Sequence, residues 1–465
     1  MPIKILSTVG PVTDQKINIS KLLKFGDILR TNGSHNTIKW HEKISILIKS
    51  VNPEAVHLFD LPGVKPRTRN SANITIKLNE KVCFYYNKNF SHKSKIKRIE
   101  LTKPLPTLTN KEKFFSLSDG QFTFEVINFK KNYLVGKSKS NFELSPHKGL
   151  NIPGAIYDNK LQLDHYKRFL KKSKNVKFDV IGLSYIQSKN VINNIKKKYN
   201  DKIIVAKIEN LTGLNNVSEI VEAADVIMID RGDLAAEVGN HNLFEATIKI
   251  TNETKKQGKP LIMGTENLVS MLKKNEPTKS EIISLGLNFL LDSDYIMLSE
   301  ETAISTNWYN TVKWLNNFQM NSNKINYNIN YKKDNETDNL KLNKNTQTNI
   351  WSSFRFNLDD SFVFISRTGA SIKEFKKRYT ANKSFVFTDS IKTRNLCKFW
   401  KEIKPMYFKS IVKFINSKNI IKAIKRNKDI IFDSDTKKII CLFILNPRKG
   451  SRANCIYILD KDDLK

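Results

Sequence analysis

Lys207, Glu209 and Asp233 are the residues whose types and spacing most clearly allow chemistry. Lys207 and Glu209 close the run Ile204-Val205-Ala206-Lys207-Ile208-Glu209-Asn210, and Asp233 closes Val226-Ile227-Met228-Ile229-Asp230-Arg231-Gly232-Asp233. Each run begins apolar and β-branched, as a buried strand does, and ends by presenting charge. Carboxylates are hard oxygen ligands of the kind Mg2+ takes beside phosphate groups. A lysine flanked by two such carboxylates at neighbouring strand ends is the outline of a phosphoryl-transfer site. Either carboxylate alone would be an ordinary surface ion-pair partner.

Strand ends converge on one rim only if the chain builds a barrel or a doubly wound sheet. Apolar runs ending in polar or glycine turns occur at Ile3–Val9, Asp27–Arg30, Ala55–Phe59, Val180–Tyr185, Ile203–Ile208, Val226–Ile229, Pro260–Met263 and Tyr295–Leu298. Helical-period segments such as Val217–Ala224 and Asn240–Gln257 separate them. The pattern predicts an α/β chain with a (β/α)8 barrel over residues 1–68 and 149–320. Between the third and fourth runs the period shortens to alternating strands: Ile74–Leu78, Val82–Tyr86, Phe122–Ile127 and Tyr133–Val135. This predicts an inserted β-barrel lid domain over residues 69–148. Residues 321–349 are rich in Asn, Lys and Thr and read as a linker. Phe362–Ile365, Ser384–Phe387, Pro405–Phe408 and Ile439–Leu445, with the helix Ser371–Tyr379, predict a C-terminal α/β domain over residues 350–465.

The chain has 465 residues, room for two or three domains with sizeable cores. Lys and Arg number 79 against 45 acidic residues, giving a net charge of +34. The lysines are spread through every segment without a recognition motif, so a nucleic-acid partner is not expected. The positive field favours anionic, phosphorylated substrates. No apolar run reaches about 18 residues, so no membrane span is expected. The segment Met1-Pro2-Ile3-Lys4-Ile5-Leu6 lacks the features of a signal peptide, and a cytoplasmic location is expected. Cys83, Cys397, Cys441 and Cys455 are far apart and read as reduced structural thiols.

Eight motifs in order, each at an expected strand end, resemble the pyruvate kinase family over nearly the whole length. They are Thr8-Val9-Gly10-Pro11, Arg30-Thr31-Asn32-Gly33-Ser34-His35, Asp60-Leu61-Pro62-Gly63-Val64-Lys65-Pro66-Arg67, Lys207-Ile208-Glu209-Asn210, Arg231-Gly232-Asp233-Leu234, Gly264-Thr265-Glu266-Asn267, Pro277-Thr278-Lys279-Ser280-Glu281 and Met297-Leu298-Ser299-Glu300-Glu301-Thr302. The resemblance implies transfer of phosphate from phosphoenolpyruvate to ADP, giving pyruvate and ATP. It implies that Glu209 and Asp233 hold Mg2+, with Mn2+ as an alternative. Arg30 and Lys207 would neutralise the phosphoryl group in flight. The Gly232 and Asp233 amides would bind the substrate carboxylate, and Thr265 would orient the enolate for protonation. Asn32, His35, Arg67 and Lys148 would contact the nucleotide, with Asp119 in the closing lid. A homotetramer is implied by the same likeness.

One position departs in a telling way. Where the potassium-dependent branch has glutamate, this chain has Lys65, while Asn32, Ser34 and Asp60 match the monovalent-cation pocket. A fixed ammonium would replace the ion, so K+ is not expected to be required; the alternative is an ordinary surface lysine. Gly33 stands for a phenylalanine, Glu266 for a glutamine, Ser284 and Leu287 for an aspartate and an asparagine, and Gln187 for a basic residue. Ser366-Arg367-Thr368-Gly369-Ala370-Ser371 resembles the family's effector-phosphate loop, unless Ser371 merely caps a helix; the later segment Gly450–Asn454 fits that loop poorly. Two other functions stay open: a pyruvate-kinase-like binding protein with weakened turnover, and another barrel enzyme acting on phosphoenolpyruvate or pyruvate.

Overall fold

A computed structural model describes residues 2–87, 96–108, 112–322, 360–377, 383–409, 417–431, 438–443, 455–460 and 463. Strands Lys4–Thr8, Ile28–Asn32, Val56–Leu61, Val180–Leu183, Ile203–Ile208, Val226–Asp230, Leu261–Gly264 and Tyr295–Leu298 form a closed, all-parallel barrel. The first strand pairs with the last, Lys4 opposite Tyr295. All eight expected runs are strands, with ends shifted by a residue or two.

The barrel closes because its strands are apolar on both faces. Leu6, Ile28, Val56, Leu58, Val205, Met228, Ile262 and Met297 fill the interior. Phe59, Ile181, Ile204, Ile227 and Met263 face outward into the helix layer. Local signals start the helices. Thr278 and Glu281 form a reciprocal capping box at Lys279–Leu290, and Ser188 caps Lys189–Lys198. Such caps contribute about 1 kcal/mol each. The expected Asn240–Gln257 helix is a 3-10 turn, Asn240–Asn242, followed by Leu243–Lys256.

The insertion forms a six-stranded sheet and a two-stranded one, around Phe84, Phe115, Phe124 and Leu134. Among the described residues these sheets do not close into the expected β-barrel. Strands Lys97–Glu100, Phe114–Leu117, Phe142–Leu144 and Leu150–Asn151 were not evident from alternation. Leu150–Asn151 lies beyond residue 148 yet pairs with Phe114–Leu117, so the lid's sheet runs past the expected boundary.

The C-terminal sheet runs Ile403–Tyr407, Ser384–Thr388, Ser361–Ile365, Lys438–Phe443, Cys455–Asp460, with only the last strand antiparallel. It adjoins the end of the barrel where the strands begin. Phe399 is fully buried among the residues filling the barrel, and Lys4 donates to the carbonyls of Lys398 and Trp400 at 3.0 and 3.1 Å. The opposite rim is left for chemistry. The helix over Ser371–Tyr379 begins earlier, at Ala370 with Gly369 as its N-cap, so Ser371 lies inside it and does not cap. Of the expected linker 321–349, all but residues 321 and 322 lie outside the described residues, as does Gly450–Asn454. Among the described residues, no helix is long and apolar enough to cross a membrane.

Candidate active site

Register places the charged groups together. Lys207 sits one residue before the end of its strand and opposite Met228, and Asp230 ends the next strand opposite Gly264. Arg30 and Asp60 come from neighbouring strands on the other side, where Asn32 is opposite Asp60. Their side chains meet at the carboxyl ends of the strands, the rim that barrel enzymes use.

The Lys207 ammonium lies 2.7 Å from Glu209, 3.2 Å from Asp60 and 3.2 Å from Asp230, and 3.3 Å from the Ser184 hydroxyl. Arg30 grips Asp60 through Nε and Nη2 at 2.9 and 2.7 Å and reaches Thr8 Oγ1 at 2.9 Å. All these charged groups are buried. Burial alone would lower the Lys207 pKa, but the Asp60, Glu209 and Asp230 carboxylates outweigh it and hold the ammonium protonated. Burial likewise works to raise Asp60, yet Lys207 and Arg30 keep its pKa low. Glu209 behaves oppositely: burial, reinforced by Asp230 and Asp233, raises its pKa well above the usual range despite Lys207. An acidic excess at Glu209 is what a bound cation would relieve. Glu209, Asp230 and Asp233 each offer a carboxylate oxygen within 4.8 Å of the others. Hard oxygen donors in that arrangement suit Mg2+.

Lys65 links this cluster to the lid. Its buried ammonium pairs with Asp233 on the barrel and, at 2.9 Å, with Asp119 on the lid. Burial opposes the charge, but these two carboxylates raise the Lys65 pKa, and Lys65 in turn keeps Asp233 low. A Cβ at Gly149 would fall 2.5 Å from Lys65 Cε, so glycine there makes room for the stem. Asp60 bonds to Arg30, Lys207 and Ser184, while Lys65 is directed to Asp119 and Asp233.

Thr265 follows the strand Leu261–Gly264 with φ +48°, and Glu266 follows at +52°. Two left-handed residues in a row need support, the more so for a β-branched one. Arg231 supplies it, donating to the carbonyls of Thr265 and Glu266 at 2.7 and 3.0 Å, to Asn267 Oδ1 at 2.8 Å and to Ser284 Oγ at 2.9 Å. The Thr265 hydroxyl donates to Asp230 Oδ1 at 2.9 Å and accepts from the Gly232 amide at 3.3 Å. Gly232 and Asp233 open the helix Arg231–Val238, whose first amides make an anion-friendly end.

The remaining expected residues bond outside the Lys207 cluster, although Arg30 still acts on His35 and Arg67 on Asp233. Asn32 Oδ1 accepts from the Ser34 amide at 3.0 Å. Burial lowers the His35 pKa, and Arg67 and Arg30 add to this. Arg67 is exposed and reaches the His147 carbonyl at 3.2 Å. Lys148 pairs through its backbone with Thr68. The absent phenylalanine at Gly33 is compensated, since a Cβ there would lie 3.0 Å from the Phe169 ring.

Sequence reasoning passed over Asp230, Ser184, Tyr185 and Arg231. Asp230 and Arg231 stood in plain view beside Gly232-Asp233, at a strand end; nothing in the linear pattern marked Ser184 or Tyr185. Tyr185 has φ +64°, donates its amide to Glu209 and its hydroxyl to Glu237 at 2.7 Å.

Residues 2–312 match the family described as pyruvate kinase, barrel domain. A pyruvate kinase from Thermococcus litoralis is 32% identical over 312 residues, covering 65% of each chain. One from Encephalitozoon cuniculi is 28% identical over 67% of this chain and 73% of that one, and one from Trypanoplasma borreli 27% over 64% and 62%. The matched region thus spans about two-thirds of the length of these curated relatives. The crystal structure of a pyruvate kinase from Cryptosporidium parvum superposes with a TM-score of 0.78 at 20% identity, covering 99% of this chain and 96% of that chain. With a barrel matched from residue 2 to 312 and cations and carboxylates converging on its rim, the chain belongs to the pyruvate kinase family.

Proposed function

We propose that the protein is a pyruvate kinase, moving the phosphoryl group of phosphoenolpyruvate to ADP. The observation that carries this reading is the buried Lys207 ammonium, beside Arg30 and facing Glu209, Asp230 and Asp233 on the barrel rim. Arg30 and Lys207 neutralise the oxygens of the phosphoryl group as it passes between leaving and attacking oxygens. The amides of Gly232 and Asp233 orient the substrate carboxylate. Thr265 helps orient the enolate for protonation, a role supported by the family resemblance. His35, Arg67, Lys148 and Asn32 contact the nucleotide, and Asp119 brings the lid over it. Glu209 and Asp233 would hold Mg2+ or Mn2+, which would supply positive charge to the site.

Lys65 makes the enzyme independent of K+. Its buried ammonium, paired with Asp233 and Asp119, keeps a fixed positive charge beside the site. A cytoplasmic homotetramer completes the proposal, supported by the family resemblance.

One observation favours weakened turnover as a second reading. A Cβ on Gly232 would lie 3.4 Å from Glu266 Oε1, so this carboxylate stands close to where the substrate carboxylate must bind. Pyruvate formation from phosphoenolpyruvate and ADP, followed in a coupled assay with Lys207→Met as control, separates the two. Turnover abolished by the substitution supports the kinase. Substrate binding without turnover supports the weakened binding protein.

A further inference from the structure

Asp230 touches two groups with different tasks. Its Oδ2 lies 3.2 Å from the Lys207 ammonium, and its Oδ1 accepts the Thr265 hydroxyl hydrogen at 2.9 Å. A hydroxyl has a single hydrogen to give, and here it is committed to Asp230. The Gly232 amide approaches the same oxygen at 3.3 Å. The Thr265 oxygen therefore meets the reaction space as an acceptor.

The surrounding structure is built to keep it so. Thr265 and Glu266 hold left-handed backbone, which costs of order 1–3 kcal/mol per residue outside glycine. The half-buried Arg231 fixes that backbone from behind with a fan of bonds. Backbone and hydroxyl are thus held independently, by neighbouring residues of one turn. Arg231 sets where Thr265 sits, and Asp230 sets which way its hydroxyl points.

We propose that Asp230 is a positioning residue for enolate protonation, acting through Thr265. With its hydrogen turned to Asp230, the Thr265 oxygen accepts a hydrogen bond from a water and holds that water against the enolate carbon. In the step, the enolate π pair takes a proton from this water. The C–H bond forms as the water O–H bond breaks, and the hydroxide left is reprotonated from solvent. Asp230 neither gains nor loses a proton. The inference rests on the pyruvate kinase reading.

The test follows deuterium uptake into the methyl group of pyruvate in D2O with Mg2+, alongside steady-state turnover. Asp230→Ala removes the acceptor and is expected to slow uptake by about 10- to 100-fold, with KM for phosphoenolpyruvate within about threefold. Asp230→Asn keeps an acceptor oxygen and is expected to restore most of that loss. Because Asp230→Ala risks unfolding beside Lys207, Thr265→Val is measured in parallel. In its background, Asp230→Asn must have no further effect on uptake. Three results overturn the assignment: wild-type uptake in Asp230→Ala, equal losses in the Asn and Ala variants with a raised KM, or a further loss in the double variant. Loss of Mn2+ binding in Asp230→Ala, read by electron paramagnetic resonance, also overturns it, by making Asp230 a metal ligand. Absence of turnover and uptake in the wild type overturns the kinase reading itself, and this inference with it.

Discussion

Lys65 on the barrel rim and Asp119, in the turn that follows the lid strand Phe114–Leu117, pair at 2.9 Å, with Asp233 on the same ammonium. One side chain thus ties the lid to a proposed metal ligand. Turnover is expected to be the same in potassium and tetramethylammonium salts. Lys65→Glu is expected to lower turnover and to make it respond to K+. Hydrogen exchange in the strand Phe114–Leu117 should quicken in Lys65→Met, as the lid loses its anchor. Strong K+ activation of the wild type would sink the role given to Lys65.

Lys207 is the common partner of Asp60, Glu209 and Asp230. Lys207→Met is expected to abolish turnover and, by leaving buried carboxylates uncompensated, to cost about 3–5 kcal/mol of stability. Mg2+ should raise the Tm of this variant more than that of the wild type, since it restores positive charge among the carboxylates. Thermal melts with and without Mg2+ check this, and an equal Mg2+ effect on both proteins counts against it.

His57 gives the stability a pH dependence. It is fully buried, with Nδ1 donating to the Lys177 carbonyl at 2.9 Å and Nε2 lying 2.8 Å from Thr31 Oγ1. Burial lowers its pKa to about 4, against 6.5 when unfolded. The unfolded chain therefore binds a proton first as pH falls. The neutral ring's contribution is intact above pH 6.5 and is lost as pH drops toward 4, amounting to ~3 kcal/mol. Urea midpoints measured from pH 7 to 4 should fall, and His57→Gln should flatten that slope.

Phe399 fills the barrel from the end opposite the site. Phe399→Ala is expected to cost about 3–5 kcal/mol through the cavity it leaves. Below the lowered Tm, kcat and KM should stay near wild-type values, because the ring packs beside Tyr295 in the barrel's hydrophobic filling. A large KM change at low temperature would show the two ends of the barrel to be coupled.

The sequence by itself determined the barrel and the rim on which its charged groups gather. A buried parallel strand must be apolar on both faces, so eight such runs stand out, and charges at their ends have one rim to occupy. Lys207, Glu209 and Asp233 were legible for that reason, whereas Arg30, Asp60 and Thr265 were marked only by the family resemblance. The lid was legible only in part: Lys97–Glu100 and Leu150–Asn151 are too short to alternate visibly, and they exist because neighbouring strands offer free edges.

Tertiary structure alone decided the pairings. Phe169 covers Gly33 across a long stretch of chain, and Phe399 enters a barrel whose strands ended a hundred residues earlier. Lys65 could have faced Asp60, close by in sequence; lid packing and the space above Gly149 turned it to Asp119 and Asp233 instead. Asp230 was visible as a residue and invisible as a partner. Its bond to Thr265 depends on adjacent strands in register and on two left-handed residues held by Arg231. Spacing along a chain reports which face a residue occupies. Direction and distance between side chains depend on packing, which spacing does not encode.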